Sequence, residues 1–271
     1  MRQLFGTIAL FNIGLVLAGQ AHAGAAESLI SHRAVYDLAL QEASERSGIE
    51  SMFGRMVYEF NGSTCSGYTV GFRFVTQVDT GNSVRLTDQQ TTTYENVEEK
   101  TFRFITKSYV NQKLDLEVRG TAKAEADGTS VDLTIPRRAK LELDPAQFPT
   151  AQMISLIERA KNGERFFQSY LFDGSDEGSK VMLTTSVVGS PRVSTVAEEE
   201  RDATKDFADL PTWPVTIAYF DETKKEEETP VYRISFQLYE NGITRDLIMD
   251  YGEFALKGTL SSLETFDGDG C

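Results

Sequence analysis

Histidine is nearly absent. The 271 residues hold two, and only His32 lies beyond the first 23 positions. A two-histidine zinc site is therefore excluded from any processed form. His32, with no cysteine near it in sequence, makes a poor metal ligand or triad base and is expected at the surface or in a turn. Cysteine is equally scarce: Cys65 and Cys271 stand alone, so no C-x-x-C redox motif exists. Also missing are a G-x-S-x-G elbow, a G-x-G-x-x-G turn, a phosphate loop and an S-x-x-K pair. Carboxylates are so numerous that none stands out as a glycosidase pair. With no catalytic, cofactor-binding or metal-ligating residue to assign, the chain reads as a non-enzyme without cofactors.

Long apolar runs are missing too, except at the start. Leu4 to Gly19 is interrupted only by Thr7, Asn12 and glycines, and Arg2 precedes it. That core is shorter than the about 20 residues of a spanning helix, and Ala21-His22-Ala23 supplies the small-x-small pattern of a signal-peptidase site. Cleavage between Ala23 and Gly24 is expected, leaving residues 24–271 as one domain in the periplasm without stable membrane insertion. The processed chain then carries 26 basic and 41 acidic residues, a net charge of −15. Such a surface repels nucleic acid and anionic lipid headgroups. Glu198-Glu199-Glu200 and Glu226-Glu227-Glu228 read as solvated loops.

Two cysteines in an exported chain allow one intramolecular bridge, Cys65 to Cys271, closing a loop of about 200 residues. The chain-entropy model assigns such a bridge roughly 5 kcal/mol. Two free thiols, or a bridge to another molecule through the tail, are the alternatives.

What the chain has in abundance is period-2 alternation. Tyr36, Leu38 and Leu40 share one face, as do Met56, Tyr58 and Phe60, and Tyr68, Val70, Phe72 and Phe74. The pattern recurs at Phe102 and Phe104, at Leu114, Leu116 and Val118, at Val131, Leu133 and Ile135, at Tyr232 through Leu238, and at Phe254, Leu256 and Leu260. These are strands buried on one side and wet on the other, on the order of fourteen in all. Gly81-Asn82, Asp127-Gly128, Asp173-Gly174 and Asn241-Gly242 mark turns, the last expected as a type I′ hairpin with positive φ at both residues. The fold class is all-β: a single many-stranded antiparallel meander that curls on itself in a barrel-like way, because closure removes edges. Arg55, Arg73, Arg103, Lys113 and Arg233 on the wet faces argue against an outer-membrane barrel.

One segment has helical period. Thr150 is placed to cap a helix over about 151–161, with Met153, Ile154, Ile157 and Ala160 as its apolar stripe and Asn162-Gly163 as its stop. Its mixed charges point to packing over an open edge of the sheet rather than to a membrane surface. Asp173 to Gly178 and Asp267 to Gly270 superficially resemble calcium loops, but Thr184 replaces the closing glutamate of the first, and both read as turns. Asn61-Gly62-Ser63 also reads as a turn.

The segments SHRAVYDLAL, GRMVYEFNGSTCSGY, FPTAQ, DGSDEG and LYENGITRDLIMDYGEFALKGTLSSLE, in that order, resemble the family of the cell-envelope integrity protein EipB. The resemblance runs over essentially the whole processed chain. It implies a periplasmic protein with a spiral-like β domain, a disulfide between Cys65 and Cys271, and a role in envelope integrity under stress; it implies no reaction. Function then falls into three classes: a scaffold that binds an envelope protein partner, a carrier or sensor of lipid, lipoprotein or cell-wall fragments in an apolar cavity, or, least supported, a hydrolase.

Overall fold

The computed structural model describes residues 29–221, 223 and 229–267, apart from the side chain of Asp176. The expected leader with Ala23 and Gly24, the glutamate run at 226–228 and Cys271 lie outside the described residues. The chain begins with eight strands: β1 (His32–Ala43), β2 (Ser51–Ser63), β3 (Gly67–Asp79), β4 (Val84–Asn96), β5 (Thr101–Val110), β6 (Lys113–Ala124), β7 (Thr129–Ile135) and β8 (Ala139–Leu143). The helix α1 (Pro149–Lys161) follows. After it come β9 (Phe166–Leu171), β10 (Met182–Val188), the short helix α2 (Arg201–Thr204), β11 (Thr212–Phe220), β12 (Tyr232–Tyr239), β13 (Thr244–Asp250) and β14 (Phe254–Thr265).

All fourteen strands form one antiparallel sheet in the order β8-β7-β6-β5-β4-β3-β2-β1-β14-β13-β12-β11-β10-β9. Every neighbour in that order is also a neighbour in sequence except β1 and β14. Their pairing, from His32 with Thr265 to Ala43 with Phe254, joins two meanders end to end. The sheet curls but does not close. Its edge strands β8 and β9 are joined through α1, and Gln147 forms one parallel bridge with Leu171 across the gap.

Alternation decides which side chains face inward. In β1, Ala34, Tyr36 and Leu38 are buried while Arg33, Asp37 and Ala39 are exposed. Asp37 lies opposite Arg55 of β2 on the outer face and pairs with it at 2.7 Å. Arg233 and Asp250 are likewise opposite each other and paired. Exposed pairs of this kind add little stability each.

No apolar alternation marks β4, VRLTDQQTTTYEN. Its β-branched threonines suit a pleated surface, and they pair across strands: Thr87 with Thr76 at 2.6 Å and Thr91 with Thr106 at 3.0 Å.

The core has two parts. The larger gathers inward residues of β1–β3 and β11–β14, such as Tyr36, Met56, Phe236, Leu256 and Leu260, around Ile154, Leu156 and Ile157 of α1. The helix therefore packs inside the curl. The smaller part sets Phe102 and Phe104 of β5 against Phe148 and Phe172, with ring centroids 5.1–6.3 Å apart.

Three local expectations are corrected. The Asn241-Gly242 hairpin is not type I′, because only Gly242 has positive φ, at 87°. Bonds from Gly242 N to Tyr239 O and from Tyr239 N to Ile243 O enclose a three-residue loop with Gly242 at the bulge position. The type I′ turn is at Asn111-Gln112, between β5 and β6, where φ is 50° and 66° without any glycine. Asn61 lies within β2, opposite Thr69, not in a turn. Glu200 is buried rather than solvated: its Oε1 accepts from Asp246 N at 3.0 Å and Leu260 N at 2.9 Å. The β13–β14 ladder runs only from Leu247 to Asp250, with Asp246 at φ 55°, and the Glu200 carboxylate fills the gap left beyond it.

Candidate ligand cleft

Near the gap between the two edges of the sheet, Glu95 ties β4 to the start of α1. As the penultimate residue of β4, Glu95 faces inward opposite Tyr68 and is 1% exposed. Pro149 opens α1, supplying the fixed φ of a first helical position without needing a donor partner. The next two amides, Thr150 N and Ala151 N, donate to Glu95 Oε2 and Oε1 at 2.7 and 2.9 Å. A carboxylate from a distant strand thus does the work expected of Thr150, which is buried inside the first turn; Phe148 holds the cap position with no side-chain bond. Burial raises the Glu95 pKa, opposed by those amide bonds. Tyr68 is also raised, by its own burial first and by Glu95 second.

Beside this cap lies a cleft of about 480 Å³, a volume within the range of small-molecule sites. Its walls include Lys100, Glu125, Gln147, Phe148, Arg159 and Tyr170, so an aromatic floor meets groups of both charges. Arg159 is held by Glu164 at 2.9 Å and lies over the Phe167 ring. Gln147 Oε1 is buried with no partner among the described residues. Gln152 Nε2 braces the helix against β10 through Thr184 Oγ1 at 3.0 Å.

The residues singled out in the sequence are scattered. His32 begins β1, 3% exposed, with Nδ1 2.8 Å from Ile30 O and its ring beside Tyr58 and Phe60; burial lowers its pKa. It is neither a surface nor a turn residue, because strand alternation turns it toward the aromatic interior. Cys65 lies at the exposed tip between β2 and β3 and is not a free thiol. The chain end approaches the same region, since Phe266 N bonds Ser31 O and Ser31 Oγ accepts from Gly62 N. Asp173 to Gly178 is a bend followed by a single 3-10 turn, Asp176–Gly178, and a Cβ added at Gly174 would lie 2.5 Å from the Phe104 ring. Only Asp267 of the Asp267–Gly270 segment lies within the described residues. Sequence reading missed Glu95, Gln147 and Tyr170, whose roles depend on contacts across more than twenty residues.

A family model described as EipB-like matches residues 23–267. The cell envelope integrity protein EipB of Brucella abortus (strain 2308) is 49% identical over 251 residues, 92% of this chain and 89% of its own length. The crystal structure of a β-barrel-like protein of a domain of unknown function from Brucella abortus superposes with a TM-score of 0.85 at 49% identity, covering 88% of this chain and 99% of its own. The chain belongs to the EipB-like family.

Proposed function

We propose that this protein maintains cell-envelope integrity from the periplasm by binding an envelope protein partner rather than by catalysis. The name of the Brucella relative, a cell envelope integrity protein, supports the process, and the leader sequence supports the compartment. One observation carries the binding reading: the buried side chains best suited to chemistry are engaged by the protein's own groups. Glu95 caps α1, Glu200 holds the Asp246 and Leu260 amides, and His32 bonds Ile30 O. Arg245 is held by Tyr239 and Ser194.

The cleft beside Glu95 favours a second reading, a carrier or sensor of lipid, lipoprotein or cell-wall fragments, because it offers an aromatic floor and mixed polar walls. Complementation of a strain lacking the protein, challenged with detergent or a cell-wall antibiotic, tests both. His32→Gln, folded and abundant, should protect fully; lost protection would indicate catalysis and overturn the binding reading. Ala124→Trp, which fills the cleft, should abolish protection only if the cleft takes the ligand. Native mass spectrometry of protein from its own periplasm then identifies a lipid, and crosslinked co-purification a protein.

A further inference from the structure

Charge is not spread evenly over the sheet. Residues 100–143 carry nine basic and six acidic side chains, a balance of +3. Residues 24–99 and 144–271 together carry 17 basic and 35 acidic side chains, a balance of −18. The basic stretch is β5–β8, one flank of the sheet. Strand alternation turns its bases outward. Arg103 and Lys107 alternate with buried Phe102 and Phe104, and Arg119 and Lys123 with buried Val118, Gly120 and Ala122. Lys140 projects from the edge strand β8 with its side chain 86% exposed.

The acids on this flank neutralise it loosely. Arg119 is 3.5 Å from Glu117, Lys123 is 3.9 Å from Glu125, and Lys140 is 4.0 Å from Asp132. Lys107, Lys113, Arg137 and Arg138 form no ion pair among the described residues. The flank also presents apolar tips. The β3–β4 and β5–β6 hairpins lie side by side, joined by Asn111 N to Leu86 O at 2.8 Å and Leu86 N to Asn111 Oδ1 at 3.0 Å. Val84 and Leu114 at these tips are 54% and 53% exposed, each next to an exposed base, Arg85 and Lys113.

We propose that the outer face of β5–β8, with the two adjoining hairpin tips, is a docking surface for an anionic phospholipid bilayer. Charge complementarity selects the anionic partner. Two observations select a bilayer over an acidic protein: the bases are spread over four strands rather than gathered in a groove, and the exposed apolar residues sit on projecting tips, where a headgroup layer can receive them. The acidic remainder of the molecule is repelled by the same surface, so contact occurs in one orientation. The sequence-level expectation that net charge repels anionic headgroups holds for the rest of the protein and is reversed on this flank. A base near such a surface contributes about 1 kcal/mol, roughly a fivefold factor in partitioning. The resulting association is peripheral and sensitive to salt.

The test is co-flotation of the processed chain, residues 24–271, with vesicles of equimolar phosphatidylglycerol and phosphatidylcholine at low ionic strength. Pure phosphatidylcholine vesicles and soluble polyglutamate serve as competing partners. The expected result is recovery with the anionic vesicles alone, lowered roughly 25-fold or more by Lys123→Glu with Lys140→Glu, at about fivefold for each base. Arg201→Glu with Lys205→Glu, the same charge change on the acidic side, should lower it less than about twofold. Melting temperatures of both variants check the fold, and Lys140→Glu alone carries the test if the first pair unfolds. No recovery with anionic vesicles, equal recovery with neutral ones, or equal losses in the two variants would each overturn the proposal. Tighter binding to polyglutamate than to vesicles would assign the flank to an acidic protein and overturn it as well.

Discussion

The Glu95 carboxylate accepts the amide of Thr150 at 2.7 Å across 55 positions of sequence. Helix starts are ordinarily capped by a neighbouring side chain, whereas here the meander supplies the cap. The first turn of α1 therefore gains its cap only when β4 is in place.

Replacing Glu95 by Ala leaves two buried amides without acceptors and should destabilise the protein by about 2–3 kcal/mol, measured by urea unfolding. Glu95→Gln keeps one acceptor and should cost less. Stability as a function of pH separates charge from capping. Burial raises the Glu95 pKa above that of the unfolded chain. The stability gained on protonation is fully present below the ordinary glutamate range and is lost as pH rises through the elevated value. Glu95→Gln, neutral throughout, should flatten that part of the curve. An unchanged curve would show that the titration belongs to another group.

The β5–β6 turn holds Asn111 and Gln112 at positive φ. Gln112→Gly relieves the steric cost of that conformation and should stabilise by about 0.5–1 kcal/mol, after the added freedom of the unfolded chain is included. Equal midpoints of urea unfolding for the variant and the parent protein would contradict the turn geometry.

At Gly242, φ is 87° and an added Cβ would lie 2.7 Å from Leu29 Cδ2. Gly242→Val should therefore cost roughly 1–3 kcal/mol and raise hydrogen exchange at the adjoining ends of β12 and β13. Retained stability would refute the bulge assignment.

The proposed Cys65–Cys271 bridge rests on the two cysteines of a chain whose sequence predicts export and on where Phe266 lies. Phe266 and Gly62 both bond Ser31, and the five residues after Phe266 can span up to roughly 17 Å. Thiol labelling of protein from the periplasm should find no free cysteine without reduction. Cys65→Ser should lower stability by up to about 5 kcal/mol, with proteolysis near the C-terminus rising first. Labelling of both thiols in the native protein would remove the bridge.

Strands that alternate apolar and polar residues announced themselves, because a half-buried pleat needs period 2: β1, β3, β5, β12 and β14 were legible from their own residues. So was α1, whose stripe of Ile154, Ile157 and Ala160 has helical spacing and reaches the core. β4 was not, since threonines satisfy the pleat through cross-strand hydroxyl pairs rather than apolar contrast. Nor could the Asn-Gly motif at 241–242 be told from a bulged loop, because both place a glycine at positive φ. The candidate site was the least legible part. Glu95, Glu200 and His32 look like ordinary polar residues along the chain. Their burial follows from which backbone amides and aromatic rings the curled sheet brings against them. Composition and periodicity determined the strand content, the inner face and the absence of the usual catalytic motifs. The tertiary structure decided which acids are buried, which flank is basic and where the sheet stays open, because hydrogen-bond satisfaction and field cancellation depend on neighbours distant in sequence.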